Sequence, residues 1–286
     1  MTMHPIRFGI QTPQQNSTWP EILDLWREID TLGYDTAWVF DHFLPIFSDP
    51  AGPCMEGWTA LAALAMATKN VRLGTMVTGN TYRHPAVLAK MATTVDIISS
   101  GRLIFGIGAG WFELEHQEYG MPFRTVGARL QRLDEALEII KLLWSNERSS
   151  FNGKHYELRD ASFNPKPLQQ PRPPILVGAT GENVALKIVA KHADMWNSFG
   201  TPEVFRHKIT ILDEHCRKLG RDPATIEKSV LVSAASGGGP FELNDARRQI
   251  DAYIEAGVTH IIFSVYSKDR EWIRRFAQRV IPHYKG

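Results

Sequence analysis

Two stretches of this chain carry residue types suited to proton transfer and anion binding. Asp41-His42-Phe43 closes the apolar run Thr36–Asp41 (TAWVFD) and sets an imidazole where a strand should end. A histidine there can hydrogen-bond a ring or substrate oxygen, and its charge titrates near neutrality. The alternative is a loop cap packed between Trp38 and Phe43. The second stretch, Val71 to Trp111, reads strand, helix, strand. Its first strand candidate, Arg72–Gly79, ends in small and polar residues. Its second, Leu103–Ala109, ends in Gly108-Ala109-Gly110. Ligands bind at the C-terminal ends of strands in parallel α/β proteins. Glycine lets backbone N–H groups approach an anion closely. Gly178-Ala179-Thr180-Gly181 repeats the arrangement after a later strand. Both loops suit a phosphate at a loop or helix start; tight turns are the alternative use.

Neighbouring side chains extend the candidate site. Thr78 and Asn80 could hydrogen-bond a ring edge or a cofactor side chain. Tyr82-Arg83-His84-Pro85 opens a helix, with Pro85 at its first position. Arg83 could pair with a carboxylate or phosphate of a cofactor tail, or stand solvated. Glu113, Glu115 and His116 follow the first glycine loop; Glu113 is a candidate proton donor or a solvated helix-end carboxylate. Trp196, in Asp194-Met195-Trp196-Asn197, lines a substrate pocket or packs in the core. His4, His42, His84, His116 and His260 are scattered, without the paired His-x-His of a metal-dependent hydrolase, so no metal site is expected.

The elements that must position these residues alternate throughout. Strands are expected at Arg7–Gln11, Thr36–Asp41, Val71–Thr78, Leu103–Gly108, Ile175–Gly178, Met195–Phe199, Ile226–Ala234 and His260–Tyr266. Helices are expected from Ser17-Thr18-Trp19-Pro20 to Leu32 and over Glu56–Thr68, Pro85–Ser99, Arg124–Trp144, Glu182–Ala193, Pro202–Leu219, Leu243–Ala256 and Asp269–Pro282. Gly33 caps the first helix, and Leu130, Leu133, Leu137 and Ile140 give the longest one an apolar stripe. Alternation implies a parallel sheet, and eight units favour closure into a (β/α)8 barrel, which needs about 250 residues. Ser145–Pro174 breaks the rhythm. Asn152-Gly153 marks a hairpin turn, and five prolines between 165 and 174 exclude a helix. This segment reads as an insertion over the surface, within one domain spanning 1–286.

Composition narrows the classes. Hydrophobic residues make up 43% of the 286 and charged residues 22%, ordinary for a globular chain. A formal net charge of +1 gives no field for nucleic acid or an anionic membrane. No run approaches the roughly 18 apolar residues of a membrane span, and the N-terminus shows no signal segment. Cys54 and Cys216 have no metal-ligand spacing and read as free thiols of a cytoplasmic protein.

WVFDHF (Trp38–Phe43), LGTMVTGNTYRHPAVLAK (Leu73–Lys90), GRLIFGIGAGW (Gly101–Trp111) and ILVGATGE (Ile175–Glu182), with weaker support from ADMWN (Ala193–Asn197), resemble the bacterial luciferase-like monooxygenase superfamily. Within it, the resemblance is to the coenzyme F420-dependent oxidoreductases. It covers nearly the whole chain. It implies a TIM barrel with the deazaflavin ring at the C-terminal mouth and insertions near 111–124 and 145–174 covering the substrate. It implies a ring-contacting histidine at His42 and a non-proline cis peptide at Met76–Val77 under the middle ring. Further cofactor contacts are implied from Asp41, Thr78, Asn80, Arg83, Gly108, Ala109, Gly110 and Trp111, and from Gly178, Ala179, Thr180 and Gly181. A sugar-phosphate dehydrogenase of this superfamily carries an acidic glutamate at about the place of Trp111, so the chain departs from that pattern.

The function expected is therefore hydride transfer between F420 and a small organic substrate. The alternative is a two-component FMN-dependent monooxygenase using reduced FMN and oxygen. The same barrel serves both, and the Met-Val-Thr strand end and the TYRHP segment favour the deazaflavin. A non-catalytic flavin-binding barrel is disfavoured by His42 and the two glycine loops. A small-molecule substrate, a homodimer and a separate reductase supplying reduced cofactor complete the expectation, with no nucleic acid or membrane partner.

Overall fold

A computed structural model describes residues 4–232, 243–266 and 269–285. Its strands are β1 (Arg7–Gln11), β2 (Thr36–Val39), β3 (Arg72–Thr75), β4 (Thr78–Gly79), β5 (Leu103–Gly108), β6 (Arg148–Asn152), β7 (Glu157–Ser162), β8 (Ile175–Gly178), β9 (Met195–Ser198), β10 (Glu227–Val232) and β11 (His260–Ser264). The helices are α1 (Trp19–Thr31), α2 (Gly57–Ala67), α3 (Pro85–Ile98), α4 (Glu113–Glu118), α5 (Val126–Ser145), α6 (Ala185–His192), α7 (Pro202–Lys218), α8 (Leu243–Glu255), α9 (Arg270–Arg279) and α10 (Ile281–Tyr284).

All strands except β6 and β7 form one parallel sheet. Its order runs β3-β2-β1-β11-β10-β9-β8-β5, and β3 pairs again with β5 to close the ring. With β3 and β4 as one interrupted strand, this is the eight-stranded (β/α)8 barrel expected. Every barrel strand is covered on both faces, so its residues form nearly continuous apolar runs. Inward-facing Trp38, Met76, Ile104, Leu176, Met195 and Ile262 fill the lumen. The other faces pack against the helices with Trp26, Trp58, Phe105, Trp196, Phe205 and Phe276.

Several boundaries differ from the sequence expectation, each for a local reason. The third strand is broken at Met76–Val77, a cis peptide, and resumes as β4. The last helix is broken near Val280, and α10 begins with Pro282 in its first turn. The 111–124 segment contains the short helix α4. The expected strand end at Ala234 lies outside the described residues. Ser145–Pro174 forms the antiparallel hairpin β6–β7 and then runs along α3. Asp96 anchors it there, accepting from the backbone of Leu168 and Gln169. No helix among the described residues is long and apolar enough to cross a membrane.

The end of the lumen away from the mouth is polar. His260 is fully buried, and its Nε2 meets Thr36 Oγ1 at 2.9 Å. Burial, reinforced by Arg7 and Lys285, lowers its pKa from 6.5 to about 3. Between those values the unfolded chain binds a proton that the folded chain excludes. Stability should therefore fall as pH drops from about 6.5 toward 3, by up to about 1.4 kcal/mol per pH unit from this group. Urea midpoints measured between pH 7 and 4.5 should show a shallower slope for His260→Gln than for the unaltered chain. Equal slopes would remove His260 as the cause.

Candidate active site

The site is built from the loops after β2, β4 and β5, together with α4. His42 leaves the end of β2 and is 7% exposed. Its Nδ1 lies 2.8 Å from Glu115 Oε1. Glu115 is fully buried on α4; its Oε2 accepts from the Phe43 N–H at 2.9 Å, and its Oε1 also accepts from the Tyr82 hydroxyl. Burial alone would raise the Glu115 pKa. The bonds from His42, Tyr82 and the Phe43 backbone outweigh it and hold the carboxyl below its usual range. Burial and Glu115 push the Tyr82 phenol well up. Glu115 is thus an ionised acceptor and Tyr82 a protonated donor. An ionised Glu115 requires the proton on His42 Nδ1, which leaves Nε2 as the exchanging nitrogen. The imidazole edge is framed by Phe40, Trp111 and Phe112, with centroids 5.1, 5.7 and 5.8 Å away. Trp111 in turn stacks on exposed Phe47 at 5.9 Å.

A second network braces this loop from behind. Asp41 is fully buried and receives both arms of Arg83, at 2.6 and 3.0 Å, plus the Thr78 hydroxyl. The same guanidinium reaches Glu56 at 2.5 Å, and Glu56 caps α2 by accepting from the Trp58 and Thr59 N–H groups. Trp58 donates its indole N–H to Thr78 Oγ1 at 3.0 Å. Burial pushes the Asp41 carboxyl up and Arg83 opposes it. Burial would lower the Arg83 pKa, and the two carboxylates more than offset that. The bidentate fork is the geometry in which such a pair stays ionised. Asp41, Thr78 and Arg83 are therefore committed to one another, and Arg83 meets internal carboxylates where a cofactor tail was expected.

The glycine loops do more than turn. A Cβ on Gly108 would lie 2.9 Å from the Val77 side chain, and one on Gly178 would lie 3.0 Å from it. These two glycines admit the Val77 isopropyl group between β5 and β8 at the mouth. Gly110 has φ +77°, and a Cβ there would strike Thr81 Oγ1. Gly181 is open, with only Ala185 near the added carbon at 3.7 Å, just before α6. Gln11 donates to the Met76 carbonyl at 3.0 Å and holds the strand break from below. Asn80 is 1% exposed, and its Oδ1 has no hydrogen-bond partner. The Asn80 backbone N–H donates to Gly108 O at 2.9 Å, and the unpartnered acceptor fits a polar ligand edge that donates a hydrogen bond.

Two expectations are corrected by this geometry. Glu113 is exposed and only accepts from Gln117, whereas Glu115 supplies the carboxylate at His42. Trp196 is fully buried on the helix-facing side of β9; it donates to the Ala179 carbonyl at 2.9 Å and packs on Phe205, so it lines no substrate pocket. Tyr82, Glu56 and Gln11 had no assigned role in the sequence. The signal for Tyr82 was its place directly before Arg83, in the segment that leads into α3. Cys54, a free cysteine, donates to the His42 carbonyl at 3.4 Å. Burial, with Glu115 and Asp41 nearby, pushes its thiol up to about 12, so it is no thiolate at neutral pH.

A closed (β/α)8 barrel with a carboxylate-fixed histidine and two glycine loops at its C-terminal mouth defines a small-molecule enzyme of the TIM-barrel class. The profile of the luciferase-like monooxygenase family matches residues 1–282, and the chain belongs to that family. It is 36% identical to an F420-dependent glucose-6-phosphate dehydrogenase of Kineococcus radiotolerans over 97% of both chains. The fold is shared with an F420-dependent secondary alcohol dehydrogenase bound to an F420-acetone adduct, at TM-score 0.88 and 20% identity, covering 99% of this chain and all of the other. It is shared also with a long-chain alkane monooxygenase, at TM-score 0.82 and 14% identity, covering 99% of this chain and 92% of the other.

Proposed function

We propose that the protein is an F420-dependent oxidoreductase that moves a hydride between the deazaflavin and an alcohol or carbonyl carbon of a small organic substrate. The observation that carries this reading is the His42–Glu115–Tyr82 cluster at the mouth, with His42 Nδ1 tied to a buried carboxylate. The residues present fit the cofactor: Gly108 and Gly178 leave room for the Val77 side chain, and the buried Asn80 acceptor has no partner of its own. Bound F420 would supply the carbon that takes or gives the hydride. Val77 and the Ala109–Trp111 backbone would support its ring, and the Gly178–Gly181 loop before α6 would hold its phosphate. His42 Nε2 takes the hydroxyl proton from an alcohol, or returns it to a carbonyl oxygen. Glu115 keeps the imidazole in the tautomer that leaves Nε2 free and stabilises the imidazolium once formed. Phe40, Trp111 and Phe112 keep water from the exchanging nitrogen.

The same reading includes a cytoplasmic setting, a separate reductase that regenerates reduced cofactor, and a homodimer. Side-by-side titration of the purified protein with F420 and FMN tests it. Micromolar or tighter binding of F420 with much weaker FMN is expected. A preference for FMN would move the enzyme to the oxygen-using monooxygenases, and binding of neither would overturn the cofactor assignment.

A further inference from the structure

Two aromatic side chains stand exposed beside the His42 centre. Phe47, in the loop after β2, is 78% exposed, the most of any large apolar side chain among the described residues. Trp111, in the loop after β5, is 53% exposed. Their rings stack with planes 21° apart. Trp111 also meets Phe112 at 5.3 Å, and both of those rings lie edge-on to His42. The rings therefore form one continuous apolar wall that begins at the imidazole and ends in solvent.

Folding alone does not account for Phe47. Its φ is +59°, a left-handed backbone conformation that glycine and asparagine adopt far more readily than phenylalanine. Its ring is mostly in water, so burial offsets little of that cost. The loop is nevertheless pinned on both sides of it. Gln15, itself buried, accepts from the Ile46 N–H at 2.7 Å and donates to the Ile46 carbonyl at 3.0 Å. The same amide donates to the Tyr266 hydroxyl oxygen at 3.1 Å. Asn16 donates to the Ser48 hydroxyl oxygen at 3.0 Å. A braced loop thus presents a bulky apolar ring to solvent in a disfavoured conformation, next to a group suited to proton transfer. A ligand that covers the ring explains both features.

We infer that the Phe47–Trp111 wall receives the apolar body of the substrate, so that the alcohol or carbonyl at His42 is carried on an alkyl or aryl group rather than on a sugar. The inference rests on the reading of His42 as the proton-exchanging group. An aromatic wall offers contact area to methylenes and rings. It offers no partners to a row of hydroxyl groups, whose water would be lost without replacement. Each methylene laid against the wall adds to affinity. Phe47 is then a specificity-determining residue: it touches the substrate away from the reacting carbon and takes no part in the proton transfer.

The test is a ligand-observed NMR titration with 2-butanol, 2-hexanol, 2-octanol and 1-phenylethanol, with glucose as the polar control. It is run on the protein without cofactor and again with F420 or FMN added. Affinity should rise about threefold or more per methylene along the alkyl series, or by a comparable step from 2-butanol to 1-phenylethanol, and glucose should not bind. Phe47→Ala, at an exposed position, should weaken the larger alcohols about tenfold or more and leave 2-butanol within about twofold. Thermal melts establish that the variant folds. Weakening confined to 2-octanol fixes an alkyl body, and weakening confined to 1-phenylethanol an aryl one. The inference is overturned if neither larger alcohol binds more tightly than 2-butanol, or if Phe47→Ala leaves both unchanged. It is overturned as well if Phe47→Ala turns a dimer into monomers in sedimentation while the alcohol affinities stay the same, because the wall is then a contact between copies. The readout is binding, not turnover. A preference for FMN would overturn the cofactor assignment and leave the alcohol series standing, whereas loss of the series with F420 still bound would overturn the wall alone.

Discussion

His42→Ala should lower turnover by about 100-fold or more while leaving the F420 dissociation constant within about threefold. The size of the effect follows from proton exchange at Nε2, which no neighbouring group replaces: Tyr82 is held protonated by burial and by Glu115, and Glu115 is enclosed. Glu115→Gln should give a smaller loss and a changed profile of rate against pH. The amide offers Nδ1 a neutral acceptor in place of a carboxylate, so the imidazolium forms less readily. Steady-state kinetics with a cofactor titration on both variants decide this. Unchanged turnover in His42→Ala would remove the histidine from the chemistry, and an equal collapse of cofactor affinity would make it a binding group.

Arg83→Leu should be the most destabilising change at the site, by about 3–5 kcal/mol in urea unfolding. It leaves Asp41 fully buried without its cation and frees Glu56 from the joint between α2 and the β4–α3 loop. Arg83→Leu/Asp41→Asn should recover a substantial part of the loss, because the stranded charge is gone. A loss below about 1 kcal/mol for the single change would mean that water, or a shift of the loop, satisfies Asp41.

The barrel was legible in the sequence because strand and helix patterns alternate eight times and because small residues gather at strand ends. Asp41, His42, Thr78, Asn80 and both glycine loops do meet at one rim. The division of labour among them was not legible. Val77 and the two glycines it contacts are far apart in the chain, so their joint packing leaves no local trace, and the glycines read only as anion cradles or tight turns. Glu113 and Glu115 are indistinguishable in sequence; only the placement of the short helix α4 buries one and exposes the other. Trp196 lies on a barrel strand, β9. In a strand covered on both faces, alternation does not tell the lumen from the helix layer. Arg83 and Asp41 sit 42 positions apart, and nothing local announces their pairing.

The seam between β1 and β11 has a consequence for how the ring assembles. Arg7 pairs with His260, so strands roughly 250 residues apart in the chain must find each other before the sheet has no free edge. Units in the middle can form early from local contacts, but an array lacking either partner keeps open strand edges and an unfilled lumen. Closure over so long a loop carries an entropic cost that only the complete ring offsets. Folding of this barrel should therefore be slow relative to its helices, and the species most prone to self-association is the nearly complete, still open sheet.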